Sequence, residues 1–255
     1  LAPADNAQVV QRAGGSLALW QGDYAVAARW LEQAVAHARI AGDRRTAAAA
    51  LRNLGSIAEE QGELERASKL EEESLALARE IGDQIGVASA LNNLGIIGWR
   101  QGDLERAGDR FTEALTLSRV VGDQQDISTY LGNVGVIMRQ RGELAQAEAL
   151  LREALALHRE LGDPLGCAQG LENLAATAAV AGQPERAARL AGAAMTIRET
   201  ISVPLSPANR EDLEPGLAAA RAALGQAAWT VAYATGRALT MKQAIVEALD
   251  EEWEE

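Results

Sequence analysis

A glycine followed by a polar or acidic residue recurs at Gly22-Asp23, Gly62-Glu63, Gly102-Asp103, Gly142-Glu143 and Gly182-Gln183, always 40 residues apart. A second series, Gly42-Asp43, Gly82-Asp83, Gly122-Asp123 and Gly162-Asp163, bisects the first, so a turn falls every 20 residues. Self-similarity at a fixed period of this length is the signature of stacked supersecondary units, each too small to bury its own apolar face. The intervals carry helical spacing, as in Leu144, Ala147, Leu150, Leu151, Ala154 and Leu155. Glycine is the usual left-handed helix stop, and the Asp or Glu after it is placed to cap the next helix and complement its dipole. Asp163-Pro164 gives the clearest start, an N-cap followed by proline at the first helical position.

Helices joined by such tight turns pack antiparallel, and small residues mark where they cross: Gly15, Gly55, Gly95, Gly135 and Ala175 in first helices, and Ala27, Ala67, Ala107, Ala147 and Ala187 in second helices. The expected fold is therefore all-α, a solenoid of antiparallel helix pairs. Five pairs of 40 residues occupy 1–200, and 201–255 form C-terminal capping helices and an acidic tail.

Composition narrows the function. Of 255 residues 48% are hydrophobic but only 4% aromatic, so Ala and Leu, both good helix formers, carry the apolar content. The net charge is −12, Lys69 and Lys242 are the only lysines, and no basic run exists, which argues against direct nucleic-acid binding. One cysteine, Cys167, excludes an intramolecular disulfide and points to the cytoplasm. No apolar stretch approaches the roughly 20 residues of a membrane span. The chain opens at Leu1, which reads as a cut from something longer.

The repeat resembles the tetratricopeptide family, whose signature places a large apolar residue and Leu-Gly in the first helix, then Ala, an aromatic or Leu, and Ala in the second. Repeat three supplies Leu91, Leu94, Gly95, Ala107, Phe111 and Ala114; repeat four supplies Leu131, Val134, Gly135, Ala147, Leu151 and Ala154. Repeat two gives Leu51, Leu54, Gly55 and Ala67, then departs with Glu71 and Ser74, which predicts either looser packing or a polar neighbour. The 40-residue period and the missing terminal proline are similar to the long repeats of kinesin light chain and spindle-orientation adaptors. That resemblance covers about residues 6–200 and implies a right-handed superhelical solenoid with an extended peptide held on its concave face.

One polar register interrupts the first helices: Asn53, Asn93, Asn133 and Asn173. Asparagine is a mediocre helix former, so the register needs a reason. One reading is a structural bond from each Asn to a neighbouring repeat. The other is a ladder of amides, each donating and accepting one bond with a ligand backbone. Helices pack about 8–10 Å apart and a strand rises about 3.3 Å per residue, so one Asn would meet roughly every third peptide unit. The resemblance assigns the asparagines this ligand role. Their neighbours Arg12, Arg52, Asn92, Trp99, Arg100, Arg139 and Glu172 would supply specificity, the arginines taking either an acidic ligand or a carboxylate of an adjacent helix.

Beyond Glu199 the turns stop. Ile201–Pro207 is an apolar, proline-containing link, Ser206-Pro207 opens a helix expected to kink or restart at Pro215-Gly216, and helices follow around Gln226–Thr235 and Met241–Leu249, the last with Thr240 and Gln243 as a capping box. Runs such as Pro184-Glu-Arg-Ala-Ala-Arg-Leu-Ala and Gly236-Arg-Ala-Leu-Thr-Met-Lys-Gln-Ala resemble the C-terminal sensor arm of bacterial STAND-type signal-transduction ATPases that regulate transcription. The acidic tail around Trp253 reads as a solvated helix end, or as a segment that docks on an arginine-bearing groove.

No phosphate-binding loop, HExxH, CxxC or nucleophile elbow is present. His37 and His158 fall at different registers, and Cys167 aligns with the apolar Ala47, Val87 and Ile127, so it reads as a core thiol. The chain is read as a binding module, not an enzyme, with no cofactor and no metal. Its expected partner is a protein or peptide. The alternative is a small-molecule effector, as the resemblance to maltose-activator-like regulators implies, and a third reading is self-assembly.

Overall fold

A computed structural model describes residues 24–250, all of them in helices or the links between them. Arg12, Gly15, the Gly22-Asp23 turn and Trp253 lie outside the described residues. Twelve helices are described: α1 (Tyr24–Ala41), α2 (Arg44–Glu60), α3 (Leu64–Glu80), α4 (Gln84–Arg100), α5 (Leu104–Val121), α6 (Gln124–Gln140), α7 (Leu144–Glu160), α8 (Pro164–Val180), α9 (Pro184–Ile201), α10 (Pro207–Leu224), α11 (Gln226–Arg237) and α12 (Met241–Leu249). They form two compact units, one through Gly122 and one from Asp123.

The turns arise as the sequence predicts. Eight glycines from Gly42 to Gly182, one at each 20-residue step, have φ between +64° and +83°, where an L side chain is strained. Asp43, Asp83, Asp103, Asp123 and Asp163 each accept a hydrogen bond from a backbone N–H of the helix they open. Glu63, Glu143 and Gln183 do not cap through their side chains. The added methylene carries the acceptor beyond the N–H groups that Asp reaches, so the acidic-cap expectation holds for Asp and fails for Glu.

In the first unit α2 pairs with α3 and α4 with α5, and α2 lies beside α4. Each crossing is closed by glycine against a bulky side chain: a Cβ on Gly55 would stand 2.6 Å from Glu71 Oε1, and one on Gly95 2.6 Å from Phe111 Cε1. Arg39–Glu73 and Arg79–Glu113 bridge successive second helices, as do Glu32–Arg66 and Glu72–Arg106, so each ion pair repeats at the 40-residue step. These bridges are exposed and set register more than stability.

In the second unit α6 pairs with α7 and α8 with α9. Gly135 meets Leu151, 2.8 Å from where its Cβ would lie. The C-terminal segment packs on this unit. Helix α12 sends Ile245, Ala248 and Leu249 into a core with Leu151, Leu155, Leu171 and Ile197. Thr240 and Gln243 form the expected reciprocal cap of α12. Helix α11 lies against α9, and α10 crosses α8 and α9. Of the kink or restart expected at Pro215-Gly216, the restart does not occur: α10 is one helix of 18 residues with Pro215 inside it. Proline removes one donor there, but Leu213 and Ala220, each 4% exposed, anchor the helix on both sides of it.

Candidate functional site

Because α2 and α4 are adjacent first helices, their equivalent registers form one polar face in the first unit. Arg52 and Asn53 are part-exposed on α2, as are Asn93 and Trp99 on α4, while Asn92 is 8% exposed. Arg100 closes one end by donating to the Glu59 carbonyl at 2.8 Å and pairing with the Glu59 carboxylate. It therefore satisfies a helix-terminal carbonyl of α2 as well as a charge.

Beneath this face lies Glu71, fully buried where Phe111 and Leu151 stand in the next two repeats. Asn93 Nδ2 donates to Glu71 Oε1 at 2.9 Å, and Oε2 is buried without a hydrogen-bond partner. Burial pushes the carboxyl up to about 8 against the pull of the Asn93 bond and of Arg52, with Glu59 adding a smaller upward push. Glu71 is thus protonated at neutral pH. Ser74 Oγ likewise finds a polar neighbour, donating to the Ala48 carbonyl at 2.9 Å. Repeat two resolves its departure from the family pattern through polar partners, and the Asn93 amide is engaged between repeats.

In the second unit Asn133 on α6 and Asn173 on α8 are half-buried. Arg139, at the end of α6, is 7% exposed, paired with Asp212 of α10, and Gln140 Nε2 donates to the same carboxylate at 2.7 Å. Its expected place on an open face is corrected, because α10 covers it. Glu172 is also buried, held by Arg198, whose Nη2 reaches Oε2 at 2.9 Å and whose Nη1 reaches the Val203 and Pro204 carbonyls at 3.3 Å. The pair ties α8 to α9 and to the link before α10. Asp212 and Arg198 escaped the sequence reading because each finds its partner in a distant segment; Glu71 carried a legible signal, a charge in an otherwise apolar register.

Among the described residues no three His, Cys, Asp or Glu side chains group so as to hold a metal, and no helix is long and apolar enough to cross a membrane. His158 is buried, its Nδ1 3.0 Å from Asp163 Oδ2, and desolvation lowers its pKa despite that carboxylate. Cys167 is 1% exposed and burial raises its thiol to about 11. Native protein at pH 8 is expected to resist a thiol-reactive aromatic disulfide and to release one equivalent on unfolding in guanidinium, as read by absorbance; rapid native labelling would contradict the packed environment.

Comparison with known proteins places this architecture. Structures of similar fold include BtubC (BKLC) from P. vanneervenii (23% identity, TM-score 0.63, 75% of this chain and 80% of that one). A kinesin-light-chain-like protein with nearly identical TPR-like repeats from Podosopora anserina is also similar (14% identity, TM-score 0.60, 77% and 97%). So is aspartyl phosphate phosphatase F from Bacillus subtilis (12% identity, TM-score 0.66, 93% and 72%). At these identities the likeness is one of fold. No curated protein matches the chain. Tetratricopeptide repeats as a class mediate protein–protein contacts and are in general not catalytic. The family model described as the MalT-like TPR region matches residues 4–240, nearly the whole chain, so this protein belongs to the MalT-like TPR family.

Proposed function

We propose that the chain is a protein-interaction arm whose first helices hold a peptide or partner domain, and that it serves a larger bacterial signalling ATPase or transcriptional regulator in the cytoplasm. In this reading residues 1–200 are the five-repeat binding arm and 201–255 its cap. The observation that supports it most is the part-exposed pair Arg52 and Asn53 on α2, beside Asn93, Trp99 and Arg100 on α4. A guanidinium next to an amide recognises a carboxylate and a peptide unit together. Asn133 and Asn173 extend the same register in the second unit, and Arg12 precedes it in the sequence. Ligand contact at Arg139 would require α10 to move aside.

The test is a displayed peptide library panned against the purified chain. Acidic peptides are expected to be enriched, and Arg52→Gln or Asn53→Ala is expected to weaken the best of them about tenfold, the equivalent of one charge-assisted contact, with the far-ultraviolet spectrum unchanged. No enrichment over an unrelated helical protein, or affinity indifferent to both substitutions, would remove the reading. Asn93 is a poor probe, because Asn93→Ala strips a buried carboxyl of its hydrogen bond and changes stability together with binding.

A further inference from the structure

Within the second unit, where α10 crosses α8 and α9 above α11, the packing leaves a cavity of about 400 Å³. This is the lower end of the range for small-molecule sites. Its walls are mainly apolar: Leu213 and Leu217 from α10, Trp229 and Tyr233 from α11. It opens toward solvent, where Arg210, Glu214 and Arg221 are exposed, and an apolar ligand body would displace water from the Leu213, Leu217 and Trp229 walls.

Its charges are unevenly matched. The Glu172–Arg198 pair at the wall is internally neutral. Arg210 and Arg221 also line the cavity, on the same stripe of α10, three turns apart. The Arg221 guanidinium lies over the Trp229 ring, 5.2 Å from its centroid, and among the described residues neither arginine is bonded to a carboxylate. Glu214 lies between them on that stripe, so the three charges sum to a single positive one. Both arginines are exposed at its mouth, and a guanidinium held over indole is preoriented to receive a planar anion.

We propose that this cavity binds a small amphipathic monocarboxylate, its apolar or aromatic body against Trp229, Leu213 and Leu217 and its carboxylate on Arg221. Binding would clamp α10, and with it the Asp212 contact to Arg139, onto the second unit. The site lies within the second unit and shares no residue with the Arg52–Asn53 face, so its failure leaves the peptide-binding reading intact.

Calorimetry with indole-3-acetate, phenylacetate and octanoate, each against its neutral amide, tests the assignment. At least one acid is expected to bind about tenfold more tightly than its amide. Arg221→Gln is expected to abolish that difference while leaving the far-ultraviolet spectrum as it was, since Arg221 is exposed and only its cation–π contact with Trp229 is lost. Equal affinity for acid and amide, no acid binding at millimolar concentration, or an acid preference that survives Arg221→Gln would each overturn the proposal.

Discussion

Raising the pH from 5 to 8 is expected to cost this protein stability through one side chain, Glu71, and Glu71→Gln is expected to remove that part of the loss. The carboxyl titrates near 4.5 when unfolded and near 8 in its buried site. Between those values the native state keeps a proton that the unfolded chain has released, so stability falls as pH rises. The contribution is fully present below 4.5 and is lost as pH climbs through about 8. The limiting slope of about 1.4 kcal/mol per pH unit gives a loss of about 4 kcal/mol across this range as an upper bound. Glutamine keeps the acceptor for Asn93 and the volume against Gly55 but does not titrate. Urea unfolding followed by circular dichroism should therefore show parent and Glu71→Gln nearly equal at pH 5 and the variant clearly more stable at pH 8. Other carboxylates in this acidic chain contribute to both curves alike and cancel in the difference. Parallel curves for the two proteins would mean that Glu71 is not held neutral. Glu71→Leu, the choice repeat four makes at Leu151, should be insensitive in the same way.

The contrast between Glu71 and the glycine turns explains what the sequence could disclose. Gly42 to Gly182 and the aspartate caps are local: each turn is decided by two or three neighbouring residues, and so is legible without knowing the fold. The capping box of Thr240 and Gln243 is legible for the same reason. The crossing glycines were readable because Gly55, Gly95 and Gly135 each meet a residue 16 positions later in the same helix pair. Whether a polar residue on a first helix faces a ligand or a neighbour is another matter, since it depends on segments far away in the chain. Asn93 reaches back 22 residues to Glu71, and Arg139 forward 73 residues to Asp212. No periodicity within the repeats encodes α10, which comes after them and has no equivalent among them. Its cavity was equally invisible, because it arises from the angle at which a non-repeating helix crosses two repeating ones.

Gly236→Ala is expected to be the most damaging single methyl group that can be added to the second unit. Helices α9 and α11 touch backbone to backbone there: a Cβ on Gly236 would lie 1.9 Å from the Arg189 carbonyl oxygen, and one on Gly192 2.2 Å from that of Tyr233. At Gly55 or Gly95 the opposing atoms belong to side chains that can turn aside, whereas here only movement of a whole helix relieves the clash. Overpacking of this kind costs about 1–3 kcal/mol in ordinary cores, and a backbone contact without rotamer relief belongs at or above the top of that range. For a chain of this length about 3 kcal/mol corresponds to roughly 6–12 °C in melting temperature. Helix propensity acts in the opposite direction, since alanine exceeds glycine by about 1 kcal/mol in a helix interior. Gly132, within α6, isolates that opposing term, as a Cβ there meets nothing within 4 Å. Gly132→Ala should accordingly raise the melting temperature by a few degrees while Gly236→Ala lowers it well below the parent. Trp229 lies on α11 and is 4% exposed, so its share of the emission from the chain's five tryptophans should shift to the red in Gly236→Ala before the far-ultraviolet signal melts. If both substitutions stabilise the chain, α9 and α11 are not in contact at these glycines and the cap is held some other way.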